Sequence, residues 1–194
     1  MRRIVPIEEP LRRVVRLQCV MDTGVPRRVL QVRSSNRVGD VAAGAFLALY
    51  DHEFNRLVRI AYLTTGSNAI AEELVQEAFI DVLRRWDSIR DPPAYLRRAL
   101  MNRSTSWLRR AILERRHAAT IPRDDAVWPD EDTTAVMEAI RMLSPRQRAA
   151  VVLRYVDGLS EVEIAEVLHC RPGTVKSTLN RSRSILKEAL AHED

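Results

Sequence analysis

The sequence has few cysteines, few aromatic residues and no long apolar run. Among 194 residues there are two cysteines, Cys19 and Cys170, four scattered histidines and 5% aromatic residues. Two distant cysteines match neither a disulfide framework nor a zinc site, which is typical of a reducing, cytoplasmic environment. No apolar run approaches the roughly 18 residues that span a bilayer. These absences argue against a secreted disulfide-stabilised domain, a metal-binding protein and a membrane protein.

Alternation of β-branched and polar residues is also scarce, whereas apolar residues three and four positions apart recur along the chain. This pattern predicts an all-α fold. The 31 Lys and Arg residues exceed the 26 Asp and Glu residues, giving a net charge of +5 that favours a polyanionic partner. No arrangement of nucleophile, base or metal ligands is recognisable, so we expect no enzyme activity, no cofactor, no metal and no small-molecule substrate.

Changes in composition divide the chain into two small helical domains joined by an acidic linker. The linker is marked by five acidic residues against one arginine from Arg123 to Thr134, with Pro122 directly before this stretch and Pro129 within it. We predict a basic, disordered extension at 1–39 and a first domain at 40–117. The linker is predicted at 118–134 and the second domain at 135–194.

The extension in residues 1–39 mixes arginine pairs, prolines and acidic residues, which excludes the apolar segment of a signal peptide. Two interpretations stay open. The true translation start lies further along, with Met21 as one candidate, or the extension is an arm that contacts nucleic acid. The chain stops at Asp194 shortly after the last predicted helix, so we expect no appended sensory domain. Regulation would then come from another protein, from turnover or from expression.

The segment Ser160–Lys187 predicts two short helices joined by a tight turn. Ser160 and Glu163 fit a capping box at the start of the first helix, and Pro172 suits the first position of the second. The second helix has an apolar face that consists of Val175, Leu179, Leu186 and Leu190. Its opposite face is polar and consists of Ser177, Asn180, Arg181 and Ser184, with Thr174 and Lys176 at the edges. This pattern is typical of a helix-turn-helix with its recognition helix. An ordinary helical hairpin with a solvated face is the alternative.

The first domain begins with a helix from Val41 to about Thr65, followed by a very regular helix from Asn68 to Trp86. One stripe of the second helix is apolar and is predicted to be buried: Ala71, Leu74, Val75, Ala78, Phe79, Val82, Leu83 and Trp86. Its outer face carries acidic residues and Gln76 around Ile80. Either this face docks a partner, or Ile80 is an ordinary exposed apolar residue.

A loop at 87–93 leads to an arginine-rich helix from Ala94 to about His117. This helix has seven arginines against one acidic residue, Glu114, and also contains Tyr95 and Trp107. Arginines beside aromatic rings suit phosphate contacts and base stacking on single-stranded nucleic acid. The alternative is that the aromatic side chains face the core while the arginines solubilise the helix.

Four motifs in this order closely resemble the extracytoplasmic-function (ECF, group 4) sigma factors of bacterial RNA polymerase, in particular the small actinobacterial members. They are AEELVQEAF at 71–79, the arginine-rich helix with Asn102, LSPRQR at 143–148, and IAEVL at 164–168 with GTVKS at 173–177. The resemblance covers about residues 42–190. It implies a promoter-specificity subunit that binds core RNA polymerase, recognises the −10 and −35 promoter elements and opens the DNA.

The resemblance also implies roles for particular residues. The first domain is similar to sigma region 2. The face of this domain that docks on the largest polymerase subunit would comprise Glu73, Leu74, Gln76, Glu77 and Ile80. Its −10 recognition and melting residues would be Ser88, Arg90, Arg97, Arg98, Asn102, Arg103 and Trp107. The linker would thread the RNA channel of the polymerase. The second domain is similar to region 4, resting on the second-largest subunit, with −35 contacts from Arg171, Thr174, Lys176, Ser177, Asn180 and Arg181.

An anti-sigma factor is a further candidate partner, because many relatives are held inactive by one. Two other classes of function compete with the leading interpretation. A stand-alone helix-turn-helix transcriptional regulator would not need the docking helix or the arginine-rich helix, and this sequence has both. An enzyme or interaction protein would use the first domain merely as a scaffold.

The sequence departs from the family pattern at the docking helix and at the helix-turn-helix. Ile70 stands where Asp is usual, so the first turn of the docking helix lacks a favourable charge. His169 replaces a turn glycine and would adopt a left-handed conformation at some cost. Thr178 replaces a common arginine, and Arg171 replaces a common serine cap. The last two departures predict a different distribution of phosphate contacts on the recognition helix.

Overall fold

The computed structural model describes residues 37–115 and 131–191, which form seven α-helices and one short 3-10 helix. The first group comprises α1 (Arg37–Thr65), α2 (Asn68–Arg84), the 3-10 helix (Trp86–Ser88) and α3 (Pro92–Arg115). The second group comprises α4 (Glu131–Met142), α5 (Pro145–Tyr155), α6 (Glu161–Val167) and α7 (Pro172–Ala191). No strand occurs within the described residues, and the predicted all-α class is confirmed.

Helices α1, α2 and α3 pack against one another in a three-helix unit. Its centre is aromatic: the ring centroids of Phe46 and Phe79 lie 6.0 Å apart, edge to face, and those of Phe46 and Trp86 lie 5.6 Å apart. Tyr50 stacks on Phe54 at 4.8 Å. Such ring pairs add to the stability that comes from apolar burial alone. The rigid three-helix unit fixes the exposed faces of α2 and α3 relative to each other.

The apolar stripe of α2 is buried as predicted from Ala71 to Val82, but its end differs from the prediction. Leu83 is 38% exposed, and Trp86, which belongs to the 3-10 helix, is half-buried. Leu83 lies three residues after Ile80, and at the helical period these two side chains share one face. The prediction of a buried Leu83 was therefore wrong, because at the helical period this side chain lies on the outer face with Ile80.

The start of α3 also differs from the sequence interpretation, which placed Pro92 and Pro93 in a loop. Both prolines lie in the first turn of the helix. Asp91 precedes them and accepts a hydrogen bond from the backbone N–H of Ala94 at 3.0 Å through its side chain. Proline suits the first turn because its missing N–H would lack an intrahelical partner there in any case. Pro92 and Pro93 thus form the start of α3 and are not part of the loop before it.

The second unit contains two capping boxes. At α6 the backbone N–H of Ser160 donates to Glu163 Oε2 at 2.8 Å and the N–H of Glu163 donates to Ser160 Oγ at 3.3 Å, as the sequence predicts. Ser144 and Gln147 form the same arrangement at the start of α5, with Pro145 in the first turn. Helix α4 begins at Glu131, four residues before the predicted start at Ala135.

The two helical units are in direct contact. Helix α5 packs against α1 and α3, and α6 packs against α3. The predicted basic extension up to residue 36 and residues 116–130 of the predicted linker lie outside the described residues, whereas 37–39 belong to α1. Buried side chains from both units form one continuous core.

Candidate nucleic-acid interface

Helix α7 exposes one face and buries the other. Val175, Leu179 and Leu186 are at most 2% exposed and pack on the rest of the second unit together with Ser182. All six residues predicted to contact the −35 element are exposed: Arg171, Thr174, Lys176, Ser177, Asn180 and Arg181. At the helical period Ser177, Asn180 and Arg181 lie opposite the buried residues. The structure therefore brings the −35 candidates together on one solvent-facing surface.

The turn between α6 and α7 has the left-handed residue that the sequence predicts. His169 has φ of 49°. Its backbone N–H donates to the Glu166 carbonyl at 3.4 Å, and the N–H of Cys170 donates to the Ala165 carbonyl at 2.9 Å. These two bonds form the Schellman pattern that ends an α-helix. The turn fixes the angle at which α7 leaves α6 and so sets how the recognition helix is presented.

Several polar side chains of α7 already have partners within the unit. The hydroxyl of Thr178 donates to the Thr174 carbonyl at 2.7 Å and that of Ser177 donates to the same carbonyl at 3.0 Å. Arg183 Nε donates to the Tyr155 hydroxyl at 2.7 Å and thereby ties α7 to α5. Thr178, the residue in place of a common arginine, is thus turned back onto its own helix.

The residues predicted to act at the −10 element do not form one surface. Arg98 and Asn102 lie one turn apart on the exposed side of α3, while Arg103 and half-buried Trp107 lie one turn apart on its flank. Arg97 is half-buried, and its Nε donates to the Pro93 carbonyl at 3.4 Å. In the preceding loop Ser88 and Arg90 are exposed, and the Ser88 hydroxyl donates to the Arg85 carbonyl at 2.8 Å.

Arg103 differs from the other candidates because it forms ion pairs across two helices. Its guanidinium contacts Asp81 closely and lies 3.7 Å from Glu77 Oε2, so that α3 is cross-linked to α2. Glu77 is one of the residues predicted to dock on the polymerase. One arginine thus connects the predicted docking face with the predicted −10 face, and the sequence contains no signal for this pairing.

The predicted docking face on α2 is exposed at Glu73, Gln76, Glu77 and Ile80, the last at 42%. Leu74, which was also assigned to this face, is 7% exposed and lies beneath it in the core. Leu83 adds a second exposed apolar side chain beside Ile80. Helix α2 has no acidic residue in its first turn, as predicted from Ile70. Its N-cap residue, Ser67, makes no side-chain cap hydrogen bond.

Two carboxyl groups near the start of α6 have shifted pKa values. Burial raises the pKa of Asp157 above its ordinary value, and the positive charges of Arg56 and Arg97 offset part of this increase. Hydrogen bonds with Ser160 lower the pKa of Glu163, with a smaller contribution from Arg97. The positive charge of Arg97 in the first unit therefore acts on two acids of the second.

In the described part of the chain, no group of three His, Cys, Asp or Glu side chains is placed to hold a metal ion. No described helix is both long enough and apolar enough to cross a bilayer.

Helix α7 has one buried face and one exposed face, and a tight turn joins it to α6. The other helical unit contributes the arginine-rich helix α3. Together these features define a helix-turn-helix DNA-binding protein. Comparison with known families agrees. Residues 33–112 match the family described as Sigma-70 region 2, and residues 133–186 match Sigma-70, region 4.

Similar proteins of known function point the same way. The RNA polymerase sigma-E factor of Streptomyces coelicolor is 38% identical over 144 residues, covering 71% of this chain and 81% of that protein. The ECF RNA polymerase sigma factor SigW of Bacillus subtilis is 27% identical over 190 residues, covering 88% of this chain and 98% of that protein. Among solved structures, the sigma factor RpoE from Bartonella quintana, in complex with the anti-sigma factor NepR, matches with a TM-score of 0.65 and 26% identity. That match covers 76% of this chain and 97% of RpoE.

The chain belongs to the ECF sigma factors of the sigma-70 family. It is a subunit that directs promoter-specific transcription with core RNA polymerase and promoter DNA, which confirms the leading interpretation of the sequence over the stand-alone regulator. Members of this family are DNA-binding initiation factors and not enzymes.

Proposed function

We propose that this sigma factor divides the promoter between its two units, with α7 reading the −35 element and α3 with the preceding loop acting at the −10 element. The observation that carries the proposal is the exposed face of α7, where all six predicted −35 residues are accessible while the opposite face is buried. A recognition helix must have this arrangement, because its outer side chains enter the major groove while its inner side chains hold it on the domain.

The start of α7 suits binding to the phosphate backbone. No acidic residue lies in its first turn, and Arg171 immediately precedes it. The N-terminus of a helix has unpaired N–H groups and a partial positive charge, which together favour a phosphate. Arg171 and this helix end would position α7, while Lys176, Ser177 and Arg181 would contact base edges. A good bidentate base contact discriminates by about 1–3 kcal/mol.

At the −10 element the exposed pair Arg98 and Asn102 would meet the DNA first. Opening a promoter requires bases to leave the stack, at a cost of a few kcal/mol for each base. Stacking on an aromatic ring and hydrogen bonds to an amide offset this cost. Trp107 on the flank of α3, with Ser88 and Arg90 in the loop, would supply these interactions to the melted strand, and Arg97 and Arg103 would contact phosphate once their protein partners release them.

The acidic face of α2 would dock on the largest subunit of the polymerase in this proposal. Ile80 and Leu83 form a small apolar centre, and Glu73, Gln76 and Glu77 lie around it. Leu74 would support this surface from the core. Apolar contacts at the centre of an interface with polar residues at its rim are the usual arrangement in protein complexes.

The acidic linker would occupy the basic RNA channel of the polymerase, and the second unit would rest on the second-largest subunit. The protein would act in the cytoplasm, where the polymerase is. An anti-sigma factor is a further partner in this proposal, since the similar RpoE structure contains the anti-sigma factor NepR.

Run-off transcription with sigma-free core polymerase and a candidate promoter tests the proposal. We expect a stable complex with core and a transcript that depends on both promoter elements. A chain that forms no stable complex with core would contradict the proposal and favour a stand-alone regulator. In the same assay Ile80→Glu should weaken core binding about tenfold or more, because it places a charge in a desolvated contact. Leu47→Glu is the matched control, since Leu47 is also 42% exposed.

A further inference from the structure

A chain of hydrogen bonds along the flank of α7 links α5 to one of the residues predicted to contact the −35 element. Arg183 Nε donates to the Tyr155 hydroxyl at 2.7 Å, and Arg183 Nη1 donates to Asn180 Oδ1 at 3.4 Å. Tyr155 is the last residue of α5, is half-buried and packs against the core of its unit. The guanidinium of Arg183 is therefore held by α5 at the point where it contacts Asn180.

The two residues of α7 lie on different sides of the helix. At the helical period Asn180 lies on the outer face, and Arg183, almost one turn later, lies on the flank toward α5. Both side chains are exposed. Asn180 is one of the predicted −35 residues, whereas Arg183 is not. The structure thus adds Arg183 to the surroundings of a residue that the sequence had already singled out.

The contact with Arg183 fixes which end of the Asn180 carboxamide faces outward. A guanidinium has five N–H donors and no acceptor, so only the oxygen of the carboxamide can accept from it. The oxygen of Asn180 is therefore turned toward the flank. Because oxygen and nitrogen lie on opposite sides of the planar carboxamide, Nδ2 with its two N–H donors is directed away from Arg183, toward the outer face of α7.

This orientation decides which base Asn180 can recognise in the major groove. An asparagine that presents both its oxygen and its nitrogen pairs with adenine, whose edge combines the N6 donor with the N7 acceptor. An asparagine that presents only donors matches guanine, whose O6 and N7 are both acceptors. Opposite adenine, the same donors would meet the N6 amino group, and donors left unpaired in a desolvated contact are costly. Holding the oxygen on the flank therefore favours guanine over adenine.

We propose that Arg183 is a specificity-determining residue of α7, which holds the carboxamide oxygen of Asn180 so that Asn180 reads guanine in the −35 element and discriminates against adenine. Tyr155 is a positioning residue that acts through Arg183. The inference deepens the proposed function and rests on it, because Asn180 reaches a base edge only when α7 lies in the major groove of the −35 element.

Selection from promoters with a randomised −35 element tests this assignment. Holoenzyme is assembled from core polymerase and the full chain, heparin-resistant complexes are recovered, and their templates are sequenced. The position that loses its preference in Asn180→Ala is the position that Asn180 reads. We expect the wild type to prefer a G·C pair there. Arg183→Ala releases the oxygen and should lower the ratio of guanine to adenine at that position about fivefold or more, leaving the other positions unchanged.

The matched control is Lys187→Ala, which removes one positive charge from the exposed side of the same helix. Loss of a phosphate contact weakens binding to all sequences alike, so this variant should change no base preference. Tyr155→Phe removes only the hydroxyl that accepts from Arg183 and should shift the ratio in the same direction as Arg183→Ala. In the Asn180→Ala background, Arg183→Ala should have no further effect at this position, since the side chain that it orients is gone. Circular dichroism establishes that each variant keeps its helices.

Three results would overturn the role of Arg183. They are an A·T preference of the wild type at the Asn180 position, no position that depends on Asn180, and an unchanged guanine-to-adenine ratio in folded Arg183→Ala and Tyr155→Phe. Each would leave the proposed function intact as long as the wild type selects a −35 sequence. Recovery of templates without preference at any −35 position would instead contradict the proposed function, and this inference with it.

Discussion

His169 adopts a left-handed backbone conformation that residues with a Cβ take far less readily than glycine. Its φ of 49° lies in the left-handed region, where a Cβ is crowded by the following carbonyl. The two hydrogen bonds of the Schellman turn depend on this conformation. The strained backbone conformation of His169 therefore occurs at the residue that sets the angle at which α7 leaves α6.

Replacement of this histidine by glycine should stabilise the protein. We expect His169→Gly to raise the free energy of unfolding by about 0.5–1 kcal/mol, because relief of the left-handed strain exceeds the added entropy of the unfolded chain. In a thermal melt this corresponds to an increase in Tm of about 1–4 °C. His169→Ala is the control, since it removes the imidazole but keeps the Cβ. An equal gain in both variants would show that the imidazole, and not the backbone, causes the strain.

At the scale of single elements, α7 and α3 have different parts in the promoter recognition proposed above. Helix α7 has its candidates on one exposed face, which is how a helix reads duplex DNA in the major groove. Helix α3 exposes Arg98 and Asn102 while Arg103 is engaged with α2. The two helices should therefore respond differently to substitution.

For α7, Arg181→Ala should reduce transcription that depends on the −35 element by about 5- to 150-fold, the equivalent of about 1–3 kcal/mol for a base contact. Run-off transcription from a promoter with an intact −35 element, compared with the same promoter with that element scrambled, measures the effect. Lys187→Ala removes one positive charge further along the same helix and should have little effect. An equal loss from both templates would assign Arg181 to the phosphate backbone instead of a base.

For α3, Asn102→Ala should impair promoter opening while core binding and Tm stay near wild type, because the side chain is exposed. Permanganate reactivity of the melted strand reports opening, and a pull-down with core polymerase reports binding. Ser106→Ala, one turn further on the same exposed side, is the control. Arg103→Ala should behave differently and also lower Tm, since it removes the ion pairs with Asp81 and Glu77. Equal loss of core binding in both α3 variants would contradict this division.

At the scale of the whole molecule, Asp157 makes the contact between the units sensitive to pH. The group is faced by Arg56 and Glu53 of α1, Arg97 of α3 and Glu163 of α6, and burial raises its pKa. A carboxyl group whose pKa is higher in the folded protein binds its proton more tightly there. The stabilisation that Asp157 contributes is therefore present in full below the ordinary carboxyl pKa of about 4 and is lost as pH rises through the raised value.

The contribution of Asp157 to the free energy of unfolding should accordingly increase as pH falls from neutral toward the ordinary carboxyl pKa of about 4. Chemical denaturation of the wild type and of Asp157→Asn across this range measures the change. Asp157→Asn imitates the protonated group and should lack this pH dependence. Glu163 titrates in the opposite sense: its lowered pKa stabilises the start of α6 above the ordinary value, and this contribution is lost as pH falls through the lowered one. An equal pH dependence in the wild type and in Asp157→Asn would contradict the assignment to Asp157.

The helices and the recognition surface were accessible from the sequence because their signals are local. The Ser160–Glu163 cap, the stripe of α2 and the left-handed His169 all depend on residues within a few positions of one another. The contact between the units was not accessible. Arg56 and Asp157 are 101 residues apart, and Arg148 and Thr64 are 84 residues apart. Arg148 also bonds to a backbone carbonyl, for which no particular side chain is needed.

The two links between the units have unequal consequences for chimaeric sigma factors, in which one half is exchanged with that of a relative. Arg148 would find a carbonyl at the end of almost any α1, so this link is transferable. Arg56 and Asp157 are matched side chains, and a hybrid that inherits one without the other carries a buried, uncompensated charge. Such a hybrid would be less stable than either parent. The halves of this protein are therefore exchangeable only when Arg56 and Asp157 are kept together.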